Sequence, residues 1–383
     1  MPGHAGTGGR DVIFAWEQCK LGDLADRVTT KNKGMVSELP LTISAQDGLI
    51  SQDEFFNKKV ASKDLSSYLL LHHGDFAYNK SYSNGYPFGT IKRLEKYPQG
   101  VVSSLYIAFK PNSSISSDFM AQYYESNNWH KEIYKCAAEG ARNHGLLNVP
   151  PSDFFATNLN IPITKSEQLK IGRLLNAVDQ TITLHEEKKH QLERLKSALL
   201  QKMFADKSGY PDIRFEGFSD EWEQCKLGDV AKINSGKDYK GLQPGKIPVY
   251  GTGGYMLSVN DKLSDIDAIG IGRKGTIDKP YYLNAPFWTV DTLFYVTPRG
   301  TVDISFMFPL FKNINWKRYD ESTGVPSLSK NTIKKIRVSF PQNNEQVKIG
   351  DLFQKITQTI TLHDQKLNLL KLVKQSLLQN MFI

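Results

Sequence analysis

The sequence predicts an α+β chain in which two mixed α/β domains alternate with two long helices. The helices are expected to pair as an antiparallel coiled coil, and the halves to be related by an internal repeat with a pseudo-twofold axis. Three observations predict this. The octapeptide WEQCKLGD occurs twice, from Trp16 to Asp23 and from Trp222 to Asp229. A long block recurs too: EQLKIGRLLNAVDQTITLHEEKKHQLERLKSALLQKMF begins at Glu167 and EQVKIGDLFQKITQTITLHDQKLNLLKLVKQSLLQNMF at Glu345, with about half the residues identical. Between octapeptide and block lie unlike segments, so the frame is duplicated and its filling differs.

Taken in order, the Gly-rich opening at 1–10, MPGHAGTGGR, reads as an expression tag or fusion remnant and is set aside. The first domain is expected over 11–163, with short β-branched and aromatic runs and an amphipathic stretch, DFMAQYYESNNWHKEIYKCAAEG. A helix follows over 164–206. Its apolar seam runs Ile171, Leu175, Val178, Ile182, His185, Leu192, Leu199 and Met203, steps of four and three that give a coiled-coil period, with Leu174 and Leu195 widening the stripe. A linker is expected over 207–221 and the second domain over 222–342. The second helix, over 343–383, repeats the seam at Ile349, Phe353, Ile356, Ile360, His363, Leu367, Leu370, Leu377 and Met381, missing only Lys374.

A helix of ~38 residues is ~57 Å long, too long to bury its stripe on one small domain, so each helix is the natural partner of the other. His185 and His363 hold the same seam position, where a polar pair fixes register more readily than it binds a metal. Landmarks survive inside the fillings as well: GTIKR from Gly89 against GTIDK from Gly275, SSLYIAFKP against VDTLFYVTP, and NLNIP against RVSFP.

Composition excludes several classes. Lys and Arg number 48 against 40 Asp and Glu, a formal charge of +8 that favours a polyanionic partner. No apolar run is long enough for a membrane span, and the opening has no signal-peptide pattern, so a cytoplasmic protein with no membrane partner is expected. Cys19, Cys136 and Cys225 suggest neither a disulfide framework nor a zinc site. Cys19 and Cys225 sit at matching places in the octapeptide and read as one half-buried strand position.

Two unlike domains at opposite ends of an antiparallel helix pair would meet duplex DNA as two half-sites facing opposite ways, giving a bipartite, asymmetric target. A ~57 Å spacer corresponds to roughly 17 base pairs, or one to two helical turns once the domains lean inward. Direct readout needs donors and acceptors on thin, exposed loops. In the first domain the candidates are Lys80, Tyr82, Ser83 and Asn84 of NKSYSNGY, and Arg142, Asn143 and His144 of GARNHG. In the second they are Lys237, Tyr239 and Lys240 of SGKDYKG, Tyr250 and Thr252 of VYGTGGY, Arg273 and Lys274 of GIGRKG, and Ser322 and Thr323 of ESTGVPS. GIGRKG is formally a dinucleotide fingerprint, but no helix follows it; a hairpin with Arg273 and Lys274 at its tip is expected instead.

The chain resembles the specificity subunits of type I restriction-modification systems. The resemblance rests on the two WEQCKLGD copies, PDIRFEGFSDEW before the second, IGRKGTI with the downstream DTLFYV, STGVPSLSK before the closing strand, and helices ending SALLQKMF and SLLQNMF. It implies a non-catalytic subunit with two target recognition domains and two helical spacers, binding double-stranded DNA. It also implies docking to two modification (methyltransferase) subunits and to restriction (translocase/nuclease) subunits. No cofactor is then expected in this chain; S-adenosylmethionine, ATP and Mg²⁺ would belong to the partner subunits. The first domain departs from the pattern, with YNKSYSNGYPFGTIKR where the second has IGIGRKGTIDK.

Rival readings are a stand-alone nuclease or methyltransferase and a coiled-coil adaptor that binds proteins through its variable domains. A loose nuclease string can be assembled from Pro211, Asp212, Asp238 and Lys240, but it straddles a repeat boundary. The sequence has no tetrad for amino-methyl transfer, and no Walker A string.

Overall fold

The computed structural model describes residues 15–58, 60–62, 64–81, 85–137, 147–206 and 208–382, so the opening at 1–10 lies outside them. The chain divides into two compact units, 1–184 with 367–383, and 185–366; each holds part of both long helices.

In the first unit the octapeptide forms the strand Trp16–Lys20, which pairs antiparallel with Asn158–Pro162, the strand leading into the first long helix. A one-turn helix, Leu21–Leu24, buries Leu21 and Leu24 and turns the chain into a four-stranded antiparallel sheet. That sheet runs in the order Ala25–Arg27, Ile107–Pro111, Phe76–Asn79, Thr90–Arg93. Its apolar face, with Phe76, Tyr78 and Phe109 fully buried, packs on Phe119, Trp129 and Phe154. Leu377, Leu378, Met381 and Phe382, from the far end of the second long helix, close the same core. Two two-stranded sheets, Leu41–Ser44 with Gly48–Ser51 and Leu69–His72 with Gln99–Val102, complete the unit.

The second unit repeats this plan. Glu223–Lys226 pairs antiparallel with Arg337–Phe340, the strand leading into the second long helix, and Leu227 is buried in the short helix Leu227–Val230. Its four-stranded sheet has the same order: Ala231–Ser235, Leu293–Pro298, Ala268–Gly272, Tyr281–Leu283. A three-stranded sheet, Gly254–Val259, Pro244–Gly251, Trp288–Thr289, distinguishes it from the first. Met203 and Phe204, from the end of the first long helix, join a core with Trp222, Phe306, Trp316 and Phe353. Cys19 and Cys225 occupy equivalent half-buried strand positions opposite Leu159 and Val338, and burial pushes the Cys225 thiol up to about 11.

The long helices span Lys165–Lys202 and Asn343–Met381. Every seam position named from the sequence is buried or half-buried in both. The widening proposed for Leu174 and Leu195 is wrong: they are 46% and 48% exposed. The seam is a strict coiled-coil one, and its apolar gaps are filled by lysines whose heads reach polar groups on the facing helix. In the second unit His185 Nδ1 lies 2.8 Å from His363 Nδ1, Lys189 pairs with Asp364 at 2.7 Å, and Lys196 donates to Thr357 Oγ1 at 2.6 Å. In the first unit Lys374 pairs with Asp179 at 2.6 Å. Late residues of one helix thus meet early residues of the other, so the helices run antiparallel. The repeat equates the Lys196 contact with the Lys374 contact and maps the histidine pair onto itself.

The conserved opening of the two blocks has a packing reason. In the first unit Gln168 accepts from Ser116 N at 2.8 Å and donates to Pro162 O at 3.0 Å. In the second, Gln346 accepts from Asp303 N at 3.0 Å and donates to Pro341 O at 2.9 Å. Ser116 and Asp303 each cap a domain helix, Ser117–Tyr123 and Ile304–Asn313. One turn on, a Cβ at Gly172 would come within 2.7 Å of Phe119 N, and one at Gly350 within 2.8 Å of Ser305 C. Only glycine lets the helices approach this closely.

The stretch read as a linker is tied down. Arg214 forks onto Glu345 at 2.7 and 2.8 Å, Ile213 N donates to Lys202 O, and Lys348 lies 4.7 Å from the Phe218 ring centre. No helix among the described residues is long and apolar enough to cross a membrane.

Candidate nucleic-acid interface

In the second unit the strand Ala268–Gly272 is paired on both edges and fully buried, with Ile269 and Ile271 in one apolar cluster and Ala268 in another, and the chain emerges at Arg273. Gly272 is required there: a Cβ would lie 2.2 Å from Thr276 O. GIGRKG does open a hairpin, since Ala268–Gly272 and Tyr281–Leu283 pair antiparallel, but Arg273 and Lys274 are not at a free tip. Their backbone is held by residues from two other stretches of the chain. Arg273 N donates to Thr292 O at 2.8 Å, Leu328 N to Arg273 O at 3.0 Å and Gly275 N to Pro326 O at 2.8 Å, and Lys274 bridges Ser327. Pairing of this kind satisfies backbone groups that a solvated turn would leave to water.

Three of these four contacts come from ESTGVPS and the leucine that follows it. Asp320 accepts from Ser322 N and Ser327 N at 3.0 and 2.8 Å, closing the loop, and these bonds hold its carboxyl below the usual carboxylate range. Ser322 and Thr323 thus lie on the loop that braces Arg273 and Lys274. Ser329 then caps the helix Lys330–Lys335 through Thr332 N. Arg273, Lys274 and Lys330 converge on a cavity of about 330 Å³ that Ser235, Phe294, Ser327, Leu328 and Ser329 also line. Lys330 and Ser235 were missed from the sequence. Both lie in stretches singled out there, Lys330 closing STGVPSLSK and Ser235 opening SGKDYKG.

The other candidates of this unit occupy the adjoining three-stranded sheet and its approach. Lys237 is exposed while its backbone is fixed, N donating to Thr289 O at 2.9 Å and O accepting from Trp288 Nε1 at 3.0 Å. Tyr239 packs half-buried beside Val249 and Trp288, and Lys240 is exposed with its N–H on Asp238. Tyr250 is half-buried, its ring 6.3 Å from that of Tyr255 and 6.1 Å from that of Tyr281; Thr252 lies in the turn just beyond. Of these, Lys237 and Lys240 are exposed on backbone held by hydrogen bonds, an arrangement suited to touching groove edges.

In the first unit Lys80 is half-buried. Its Nζ donates to Val149 O at 3.3 Å, its own carbonyl accepts from Leu147 N at 3.0 Å, and burial lowers its pKa. Tyr82, Ser83, Asn84, Arg142, Asn143 and His144 lie outside the described residues. Among the described residues no cluster of His, Cys, Asp and Glu could hold a metal ion.

Residues 219–372 match the family model for the type I restriction modification DNA specificity domain. No curated protein sequence matches the chain. The fold is similar to that of the S subunit of a type I restriction-modification system from M. genitalium, with TM-score 0.66 and 18% identity over 98% of each chain. It is also similar to a chain from a structure of complex assembly and conformational transition in the type I R-M system, with TM-score 0.51 and 15% identity over 95% of this chain and 96% of that one. Residues 219–372 thus match the type I restriction modification DNA specificity domain, and the chain as a whole is similar in fold to a type I specificity subunit.

Proposed function

We propose that this chain confers DNA sequence specificity on a cytoplasmic type I restriction-modification complex. It recognises a bipartite, asymmetric duplex site, one half-site per domain, with the spacing set by the helix pair. The chain contributes no catalysis; S-adenosylmethionine, ATP and Mg²⁺ serve the partner subunits. One observation carries the reading: two units share a frame down to the Gln168 and Gln346 contacts, yet present unlike loops. A duplicated frame with divergent fillings suits two readers of different sequence.

Two modification subunits and the restriction subunits dock on the chain. The long helices favour this, because they leave equivalent apolar side chains exposed in each unit: Leu184 at 64% and Val373 at 41% in the first, Leu362 at 63% and Leu195 at 48% in the second. Exposed leucines at matching places suit two copies of one partner.

The test is selection from a random duplex library by the full chain, alone and with its modification partner, followed by mapping of methylated adenines in a host carrying both. Enrichment of a two-part asymmetric sequence is expected. Enrichment of none, with protein partners captured, would favour the adaptor reading.

A further inference from the structure

We propose that the cavity beneath Lys274 and Lys330 is the seat for one backbone phosphate of duplex DNA. This rests on the DNA-reading function above and adds to it which groups set the register of the second unit on the duplex.

Three cations, Arg273, Lys274 and Lys330, and no acid line the cavity. Among the described residues none of the three pairs with a carboxylate, whereas Lys262 and Lys317 in the same unit pair with Asp265 and Asp278 at 2.6 and 3.0 Å. Asp320 and Glu321, on the bracing loop, bond to Ser327 N and the Ser329 hydroxyl and not to these cations, whose mutual repulsion an entering anion relieves. The backbone that carries the cations is held by structure far apart in sequence: at Lys274 by the bridge to Ser327, and at Lys330 by the capped helix that it begins.

The chemistry selects phosphate over a base. Phe294, the aromatic ring in the lining, is 3% exposed and offers no face for stacking. Lysine ammonium groups are compact point charges suited to phosphate, and the hydroxyls of Ser235 and Ser327 line the same cavity. With a phosphate held by Lys274 and Lys330, the planar fork of Arg273 at the same rim is left to meet a base edge.

The experiment uses the full chain, with its modification partner, carrying Lys274→Ala, Lys330→Ala, both, or Lys330→Arg. Affinity is measured for the selected duplex and a scrambled one over a salt series. Losing one phosphate contact flattens the slope of log affinity against log salt by about 0.9. The penalty between 50 and 200 mM salt should therefore shrink by about three- to fourfold. The double variant should show this equally on both duplexes with an unchanged melting temperature, and Lys330→Arg should retain most of the parent's slope. In duplexes with a single neutral methylphosphonate, one position should weaken the parent and leave the double variant unaffected. Loss confined to the selected sequence, or unaltered binding by the double variant, overturns the phosphate seat while the parent's sequence preference stands. A parent with no sequence preference overturns the reading beneath it as well.

Discussion

Replacing Gln168 by alanine tests the idea that a repeated side-chain lock seats each domain on its helix. The amide is 1% exposed and makes two bonds, accepting from Ser116 N and donating to Pro162 O. Truncation orphans one donor and one acceptor in a buried place. At about 1–3 kcal/mol each, less what an entering water recovers, the loss is about 2–4 kcal/mol. The lower end corresponds to roughly a 30-fold change in local opening. Because the chain has two compact units, a single unfolding midpoint would blur the effect, so the measurement is amide hydrogen exchange read peptide by peptide. Gln168→Ala should speed exchange at and around Ser116 and leave Asp303 unchanged; Gln346→Ala should do the reverse by a similar factor, since it breaks the equivalent pair of bonds. Unchanged exchange at Ser116, or an equal response at both places to one substitution, would refute the reasoning.

Arg273→Ala should relax recognition in one half-site only, at about 1–3 kcal/mol, measured by repeating the library selection; equal weakening on cognate and scrambled duplex would make Arg273 a phosphate contact. Arg214→Ala should cost about 3–5 kcal/mol in chemical denaturation by stranding the Glu345 carboxylate, whose side chain is 1% exposed, while replacing both residues with methionine should recover most of the loss. Burial, Lys366 and His363 together lower the His185 pKa. The unfolded chain then binds more protons than the folded one, so helix-pair stability should fall as pH drops from about 7 through the ordinary histidine value of 6.5 toward the lowered one. Circular dichroism melts against pH would show this, and His185→Leu with His363→Leu should flatten the profile. Leu184→Asp or Leu362→Asp should each remove one of two bound modification subunits, read by mass in solution; loss of neither would move docking off these leucines.

The helices were legible because their period is a local property of the sequence: each seam step of four or three brings a side chain back to one face. The misreading of Leu174 and Leu195 follows from the same rule. A helix on a broad core buries a wide stripe, whereas a helix facing one partner buries only two positions per heptad, and the third faces solvent. Which case applies depends on the partner. The tethering of the linker was out of reach for a related reason, because Gly, Pro and Asp in GYPDIRFEGFSDE mark turns without revealing that Arg214 finds Glu345 far along the chain.

The candidate site was legible as composition and not as geometry. GIGRKG and STGVPSLSK could each be singled out by residue type, yet nothing local says that Gly275 N meets Pro326 O, and that contact turns a free tip into one wall of a cavity. Landmarks matched by spelling diverge for the same reason: TIKR of GTIKR forms the edge strand Thr90–Arg93, while GTIDK is the turn ahead of its counterpart, Tyr281–Leu283. The Gln168 and Gln346 contacts show the opposite limit. Their letters are identical in both blocks, and only a second copy of the bond, on a different domain, separates a duplicated lock from a duplicated accident. A frame built this way constrains the residues that touch the helices and leaves the loops free to vary. That division is why the frame can be read from one sequence: it was written twice.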